Sequence, residues 1–397
     1  MKAFFLNIPA HGHVNPTLPL SREILKTGDV ILYYNFSEFR SKIESFGIEF
    51  RPYPELDRSG IESENPIELI SAIYRVTEEL LPFLLKEVER EKPDYLIHDS
   101  LSLWGWILAR ITNLPSICST TSFAIGYPVF EALTDFPFSV FRNFWQGRKK
   151  LLDLLLRRRR MRKVYNLPKR AIVDHIINTG DLNLVYTSKE FQPVYEVFED
   201  QYEFIGPSVP VSQDSGDFPL DRLGSSKTIY ISLGTLRNQR IDFYNSCIQE
   251  FQNSPYTIIL SIGRNTQPED LIAVPDNFII KQSVPQIEVL KKTDLFISHG
   301  GMNSVMESLY YGVPLLVYPQ TDEQAMVGRQ VERLGAGLVL QEKESKKGIR
   351  IQSEKILGDP IYLKNAKDQE TYLRGAGGLE KAIEKLEEFK KNKILSL

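Results

Sequence analysis

Short apolar runs alternate with amphipathic stretches along almost the whole chain. Ala3 to Ile8, Val30 to Tyr34, Tyr95 to His98 and Ser116 to Ser119 are rich in β-branched and aromatic residues and lack the polar alternation of a half-exposed strand. They read as buried strands of a parallel sheet. Between them, Pro16 to Lys26 and Ile67 to Glu91 space their apolar residues as helices do. The pattern lapses after Asn183 to Thr187, in Ile205-Gly-Pro-Ser-Val-Pro and Ser212-Gln-Asp-Ser-Gly-Asp-Phe-Pro, where turn formers dominate. It then restarts with Thr228 to Ser232, Tyr256 to Ile262, Phe278 to Lys281, Leu295 to Ser298 and Leu315 to Tyr318. The expectation is an α/β protein of two Rossmann-like, doubly wound domains facing one another across a cleft. Residues 1–205 form the first domain, 206–225 a linker, 226–375 the second domain and 376–397 a terminal segment. In that segment Leu379, Ala382, Ile383 and Leu386 mark an amphipathic helix over Gly377 to Lys391.

A length of 397 residues suits two such domains, and 42% hydrophobic with 25% charged residues is a globular composition. The net charge of −3 and a pI near 6.1 give no reason to expect nucleic acid as a partner. Cys118 and Cys247 have no metal-ligand spacing and read as reduced thiols. The first strand begins without the basic flank of a secretory signal, and no run reaches the ~18 apolar residues of a membrane span, so a cytoplasmic location and no transmembrane segment are expected. One biased tract stands out, Arg157 to Lys163, which follows Leu154-Leu155-Leu156. It is either a solvated helix face or a site of weak attraction to anionic lipid.

Candidate chemistry concentrates in Val284 to Gln324. The strand Leu295 to Ser298 delivers His299 to its carboxyl end, where open α/β sheets bind ligands. Gly300 and Gly301 let the backbone turn and approach a ligand, and Asn303 and Ser304 suit the cap of a following helix, whose amides favour phosphate. Glu307 lies one turn after Asn303, where a carboxylate can accept both hydroxyls of a ribose. A second strand brings Glu323 and Gln324 to the same edge, an acid and an amide suited to sugar hydroxyls.

This segment resembles the nucleotide-sugar signature of glycosyltransferase family 1, which includes plant secondary-product glucosyltransferases and bacterial macrolide glycosyltransferases. The resemblance implies the GT-B fold and a nucleotide-sugar co-substrate, UDP-glucose by family default, with no further cofactor. It implies that His299, Gly301, Asn303 and Ser304 face the diphosphate, Glu307 the ribose, Glu323 and Gln324 the sugar, and Val284 and Gln286 the base and ribose. Two positions depart from the plant pattern: Ser283 stands where a Trp stacks on the base, and Glu323 where an Asp is usual. The first leaves TDP sugars open beside UDP sugars.

The first strand ends in Pro9-Ala-His-Gly-His-Val-Asn-Pro16, a turn before a helix that Asn15 can cap and Pro16 can begin. H-G-H-V-N-P resembles the first-domain motif of the macrolide glycosyltransferases, which puts His13 rather than His11 at the catalytic histidine. Transfer to a hydroxyl needs a base, and imidazole titrates in the right range. Asp99, at the end of Tyr95-Leu-Ile-His-Asp99, reaches the same sheet edge if the strands are parallel and can orient that histidine. His98 alternates to the other side and reads as structural.

No D-x-D occurs, so a metal is not expected; the helix start, His299 and the turn Ser232-Leu-Gly234-Thr235 would meet the leaving diphosphate. That turn is equally consistent with an ordinary strand-helix connection, and Arg264 with either a donor contact or a surface arginine. Trp104, Trp106, Phe123, Tyr127, Phe130, Phe136, Phe138, Phe141, Phe144 and Trp145 concentrate aromatic residues in one region of the first half. Any single one of them reads first as ordinary core, but as a group they suit an apolar hydroxylated acceptor, a macrolide, flavonoid or other phenol, with Phe123, Tyr127, Phe130, Phe141 and Trp145 as the candidate contacts. The function expected is an inverting, metal-independent glycosyltransferase. Its rivals are a nucleotide-sugar epimerase and a non-catalytic sugar-nucleotide sensor, and a sensor has no use for His13 with Asp99.

Overall fold

The computed structural model describes residues 1–61, 63, 65–125, 129, 136–169, 178–209, 215–235, 237–340 and 348–395, and of residues 66 and 136–149 the backbone alone. The chain divides into two compact units: Met1–Ser188 with Gln192–Ser208 and Ala376–Leu397, and Lys189–Phe191 with Val209–Gly375.

The first unit holds a seven-stranded sheet: β1 (Lys2–Leu6), β2 (Val30–Asn35), β3 (Glu49–Pro52), β4 (Tyr95–Asp99), β5 (Ser116–Thr120), β6 (Leu182–Val185) and β7 (Tyr202–Phe204). Their order is β3-β2-β1-β4-β5-β6-β7 and every pairing is parallel. The order reverses between β1 and β4, and a doubly wound sheet binds ligands at such a reversal. Successive residues of β1 point to opposite faces. Phe4 and Leu6 pack with Leu32, Tyr34 and Leu96 on one face, and Ala3 and Phe5 with Ile31, Tyr33 and Ile97 on the other.

Helices α1 (His11–Lys26), α2 (Arg40–Glu44), α3 (Pro66–Glu91), α4 (Leu103–Thr112) and α5 (Phe136–Val164) connect these strands. Asn65 caps α3 through its side chain, bonding Ile67 N at 3.0 Å. Helix α1 differs from the sequence expectation. It begins at His11, not Pro16, because the Ala10 carbonyl accepts the N–H of both His13 and Val14 at 3.0 and 2.9 Å. The backbone closes the first turn upstream of the prolines, and the Asn15 side chain caps nothing: its oxygen accepts from Lys42 at 2.5 Å.

The second unit repeats the plan with β8 (Thr228–Ser232), β9 (Thr257–Ser261), β10 (Phe278–Lys281), β11 (Leu295–Ser298), β12 (Leu315–Val317) and β13 (Gly337–Val339), in the order β10-β9-β8-β11-β12-β13, all parallel. Its reversal falls between β8 and β11. Helices α6 (Ile241–Phe251), α7 (Gln286–Leu290), α8 (Met302–Tyr310), α9 (Asp322–Arg333), α10 (Gly348–Gly358) and α11 (Pro360–Gly375) complete it. The terminal helix α12 (Gly378–Lys393) belongs to the first unit. It buries Ala382, Leu386 and Phe389 in the cluster that holds Phe5 and Tyr33. Lys390, itself buried, pairs with Asp29 at 2.6 Å, and Asp29 also accepts from the Tyr95 hydroxyl at 2.7 Å.

Candidate active site

In the first unit the sheet reversal brings together the loop after β1 and the end of β4. His13 lies in the first turn of α1, and its Nδ1 is 2.7 Å from Asp99 Oδ2. Asn7, buried just beyond β1, donates to the His13 carbonyl at 3.2 Å and to the Tyr33 hydroxyl at 2.7 Å, which ties the first turn of α1 to the strand. Asp99 is held from its other oxygen, which accepts the Leu101 N–H at 2.8 Å. The carboxylate is fully buried while the His13 side chain keeps 15% of its surface exposed. The carboxylate meets the imidazole at Nδ1, and an Nδ1–H donating to it leaves Nε2 as the basic nitrogen.

Sequence reasoning missed Thr121, whose hydroxyl is 3.0 Å from His13 Nδ1. It follows β5, the strand paired with β4, and nothing in the sequence ties it to a residue 108 positions away. His98 is buried, its Nδ1 bonds the Asp99 carbonyl at 3.1 Å, and burial lowers its pKa. His11 packs its ring against Phe39, centroids 5.0 Å apart.

In the second unit three adjacent strands end alike: Ser261-Ile-Gly263 on β9, Ser232-Leu-Gly234 on β8 and Ser298-His-Gly300 on β11. The serines are in register across the sheet, and the glycines have φ of 78°, 76° and 86°. Ser232 and Ser298 accept the N–H of Gly234 and Gly300 at 3.3 and 3.2 Å. This repeat was readable in the sequence. Of these glycines Gly234 makes room for the His299 imidazole, as does Gly301 just beyond the repeat: a Cβ on Gly234 would meet His299 Cε1 at 2.6 Å and one on Gly301 would meet His299 Nε2 at 2.4 Å. Burial lowers the His299 pKa to about 4, partly opposed by a bond to the Ser232 backbone, and Nδ1 is buried with no hydrogen-bond partner among the described residues. The ring is neutral near pH 7.

Helix α8 starts at Met302 with Gly301 as its N-cap, and neither Asn303 nor Ser304 caps it, contrary to the sequence expectation. The Gly301 carbonyl takes the Val305 N–H at 3.0 Å, so Asn303 and Ser304 lie within the first turn, where helix amides lack intrahelical acceptors. One turn on, Glu307 accepts from Gln286 Nε2, and Gln286 Oε1 accepts from the buried Tyr230 hydroxyl at 2.9 Å. Burial raises the Glu307 pKa to about 7, partly opposed by the Gln286 bond. A carboxyl at its midpoint near neutrality responds to any hydroxyl that reaches it.

Thr321 caps α9, accepting the Gln324 N–H at 3.2 Å, and Gln324 Oε1 accepts the Gln320 N–H at 2.8 Å. Glu323 is exposed beside it, and Val284 is buried behind α7. Arg240, not foreseen, donates to the Tyr318 hydroxyl at 2.6 Å. Thr235 and Arg264 are exposed, and Gln282 donates to the Arg264 carbonyl at 3.4 Å.

Trp104 and Trp106 are core residues, Trp104 donating to the Tyr53 hydroxyl at 3.0 Å, and Phe123 is buried. Tyr127 and Phe130 lie outside the described residues, as do the side chains of Phe141 and Trp145.

Twin doubly wound units, one with a carboxylate-held histidine at its reversal and the other with a glycine-lined strand edge, are the arrangement of a GT-B glycosyltransferase. Residues 247–372 match the family model described as erythromycin biosynthesis protein CIII-like, C-terminal domain. The chain is 35% identical over 395 residues to the NDP-glycosyltransferase YjiC of Bacillus licheniformis, covering 96% of both chains. It is 30% identical over 403 residues to the uncharacterized UDP-glucosyltransferase YojK of Bacillus subtilis, covering 98% of both. The crystal structure of the glycotransferase of kitacinnamycin superposes with a TM-score of 0.81 at 24% identity, covering 98% of each chain. The chain belongs to the bacterial glycosyltransferases of family 1.

Proposed function

We propose that the protein is an inverting, metal-independent transferase that moves glucose from UDP-glucose to a hydroxyl of an apolar small molecule, a macrolide, flavonoid or other phenol. The observation that carries this reading is the 2.7 Å contact between His13 Nδ1 and the buried Asp99 carboxylate. His13 Nε2 takes the acceptor hydroxyl proton as the oxygen forms its bond to the anomeric carbon. The bond from that carbon to the diphosphate breaks on the opposite face, and the electron pair leaves with the diphosphate. An α-linked donor thus gives a β-glycoside. Asp99 stabilises the imidazolium, and such a base contributes roughly 10²–10⁴ in rate.

In this reading the α8 amides and His299 meet the diphosphate, with the Ser232-Leu-Gly234-Thr235 turn beside them, and Glu307 with Gln286 the ribose. Val284 stands at the base, and Glu323 and Gln324 at the sugar. Preorganised donors of this kind are worth about 3 kcal/mol each at a developing charge. Glucose and uridine are supported by the name of the Bacillus subtilis relative, and a macrolide-like acceptor by that of the family model. The test is a mass-spectrometric screen of UDP- and TDP-sugars against phenolic and macrolide acceptors, with and without excess chelator. A β-glucoside formed from UDP-glucose in chelator supports the proposal. An epimerised sugar from donor alone, or activity restored only by divalent ions, refutes it.

A further inference from the structure

The strongest feature outside this site is the outward face of α5. Its inward face is ordinary: Leu154 and Met161 are fully buried in the core cluster that includes α3 residues, and Leu151 and Tyr165 pack beside them. These positions repeat at helical spacing, so the opposite face carries Leu152, Leu155, Leu156, Arg159 and Lys163. All five are exposed, Leu152 at 67% and Leu156 at 60%. Val164 extends the apolar surface at 65% exposure.

The charge on this helix is one-sided. From Arg148 to Lys163 the sequence has nine basic residues and one acidic residue, Asp153, in a chain whose net charge is −3. Part of it is spent inside the fold. Arg157 pairs with Glu78 and with Asp153, the latter at 2.9 Å, and Arg160 pairs with Glu78 at 2.6 Å. The two pairs with Glu78 fix the helix on α3, and the pair with Asp153 lies within α5. Arg159 and Lys163 point to the other side, within one to two turns of the exposed leucines.

We propose that this face docks on the surface of an anionic phospholipid bilayer. The three leucines enter the boundary between headgroups and acyl chains, and Arg159 and Lys163 lie among the phosphates. The occupant follows from charge and shape. Cations and leucines interleave on one convex helix face, the pattern of a helix lying in a membrane interface. A chain that is acidic overall gains nothing from an anionic surface unless its cations are gathered at one place. Among the described residues no helix is long and apolar enough to cross a membrane, so the association is peripheral and reversible.

The test is co-sedimentation of the full chain with vesicles of phosphatidylcholine alone and of phosphatidylcholine with one third phosphatidylglycerol, at low and high salt. The proposal expects binding to the mixed vesicles only, weakened by salt. In a double variant, Arg159→Glu with Lys163→Glu, and in a triple variant, Leu152→Ser with Leu155→Ser and Leu156→Ser, binding falls by more than about tenfold. Both variants keep the melting temperature and the transfer activity toward a water-soluble acceptor, since none of these side chains is in the core or the candidate site. Absence of wild-type binding, equal binding to both vesicle types, or variants that bind like wild type overturns the proposal. So does a dimer of the wild-type chain, seen by light scattering, that the triple variant abolishes, because the face then belongs to a second copy.

Discussion

At the scale of single residues, the environment of each ionisable group decides its use. Asp99 is sealed, tied to Leu101 N and bonded to His13, so in the proposed reaction it orients the imidazole, which takes the proton. Glu307 and His299 are pushed in opposite directions by the same cause, desolvation, which disfavours the charged form of each. For Glu307 the folded pKa, about 7, lies above the ordinary 4.5. Its contribution to stability is complete below pH 4.5 and is lost as pH rises through 7. Glu307→Gln should therefore flatten the fall in melting temperature between pH 5 and pH 8, read by calorimetry; an unchanged pH profile would show that Glu307 is ionised throughout. That His13 and Asp99 meet at one sheet edge was legible because the strands before them are apolar runs, with the resemblance choosing His13 over His11. Thr121 was not, because its role comes from a contact across 108 residues of chain.

Strands and loops carry the site, and they differ in how plainly the sequence announced them. The central strands were legible as unbroken apolar runs because both faces are buried. β3, β7 and β13 were not: each is an edge strand, short, and the first two alternate charged with apolar residues. Helix starts were misread at α1 and α8 for one reason. Asn15, Asn303 and Ser304 have the side chains that favour caps, but backbone carbonyls of Ala10 and Gly301 close those first turns instead. The glycines around His299 are placed by packing, not by turn chemistry alone. Gly301→Ala puts a methyl group within 2.4 Å of the His299 ring, so the ring or the start of α8 must move. UDP affinity measured by calorimetry is expected to fall at least tenfold, with a stability loss of about 1–3 kcal/mol. An alanine variant that binds UDP like wild type would separate the ring position from donor binding.

Across the molecule, the same topology is used twice and given different chemistry at each reversal, a histidine with its carboxylate in one unit and amides, a neutral histidine and a buried carboxyl in the other. The terminal helix shows how the first unit is closed. Burial alone would push the Asp29 carboxyl up, yet bonds from Lys390, Tyr95 and the Met1 amine hold it below its usual value. Replacing Lys390 with Met leaves that buried carboxylate without its nearest cation, and the loss should be about 3 kcal/mol in denaturant unfolding. A loss below about 0.5 kcal/mol would mean that α12 is held by its apolar face alone. The division of labour that the proposed function assigns to the units makes the central claim testable with one variant. His13→Ala, assayed for glucosyl transfer from UDP-glucose and for UDP binding by calorimetry, is predicted to lose turnover by about 10²–10⁴ while UDP affinity stays within a factor of about two. Turnover retained at the wild-type level would contradict the account, because the histidine held by Asp99 would then not be the base.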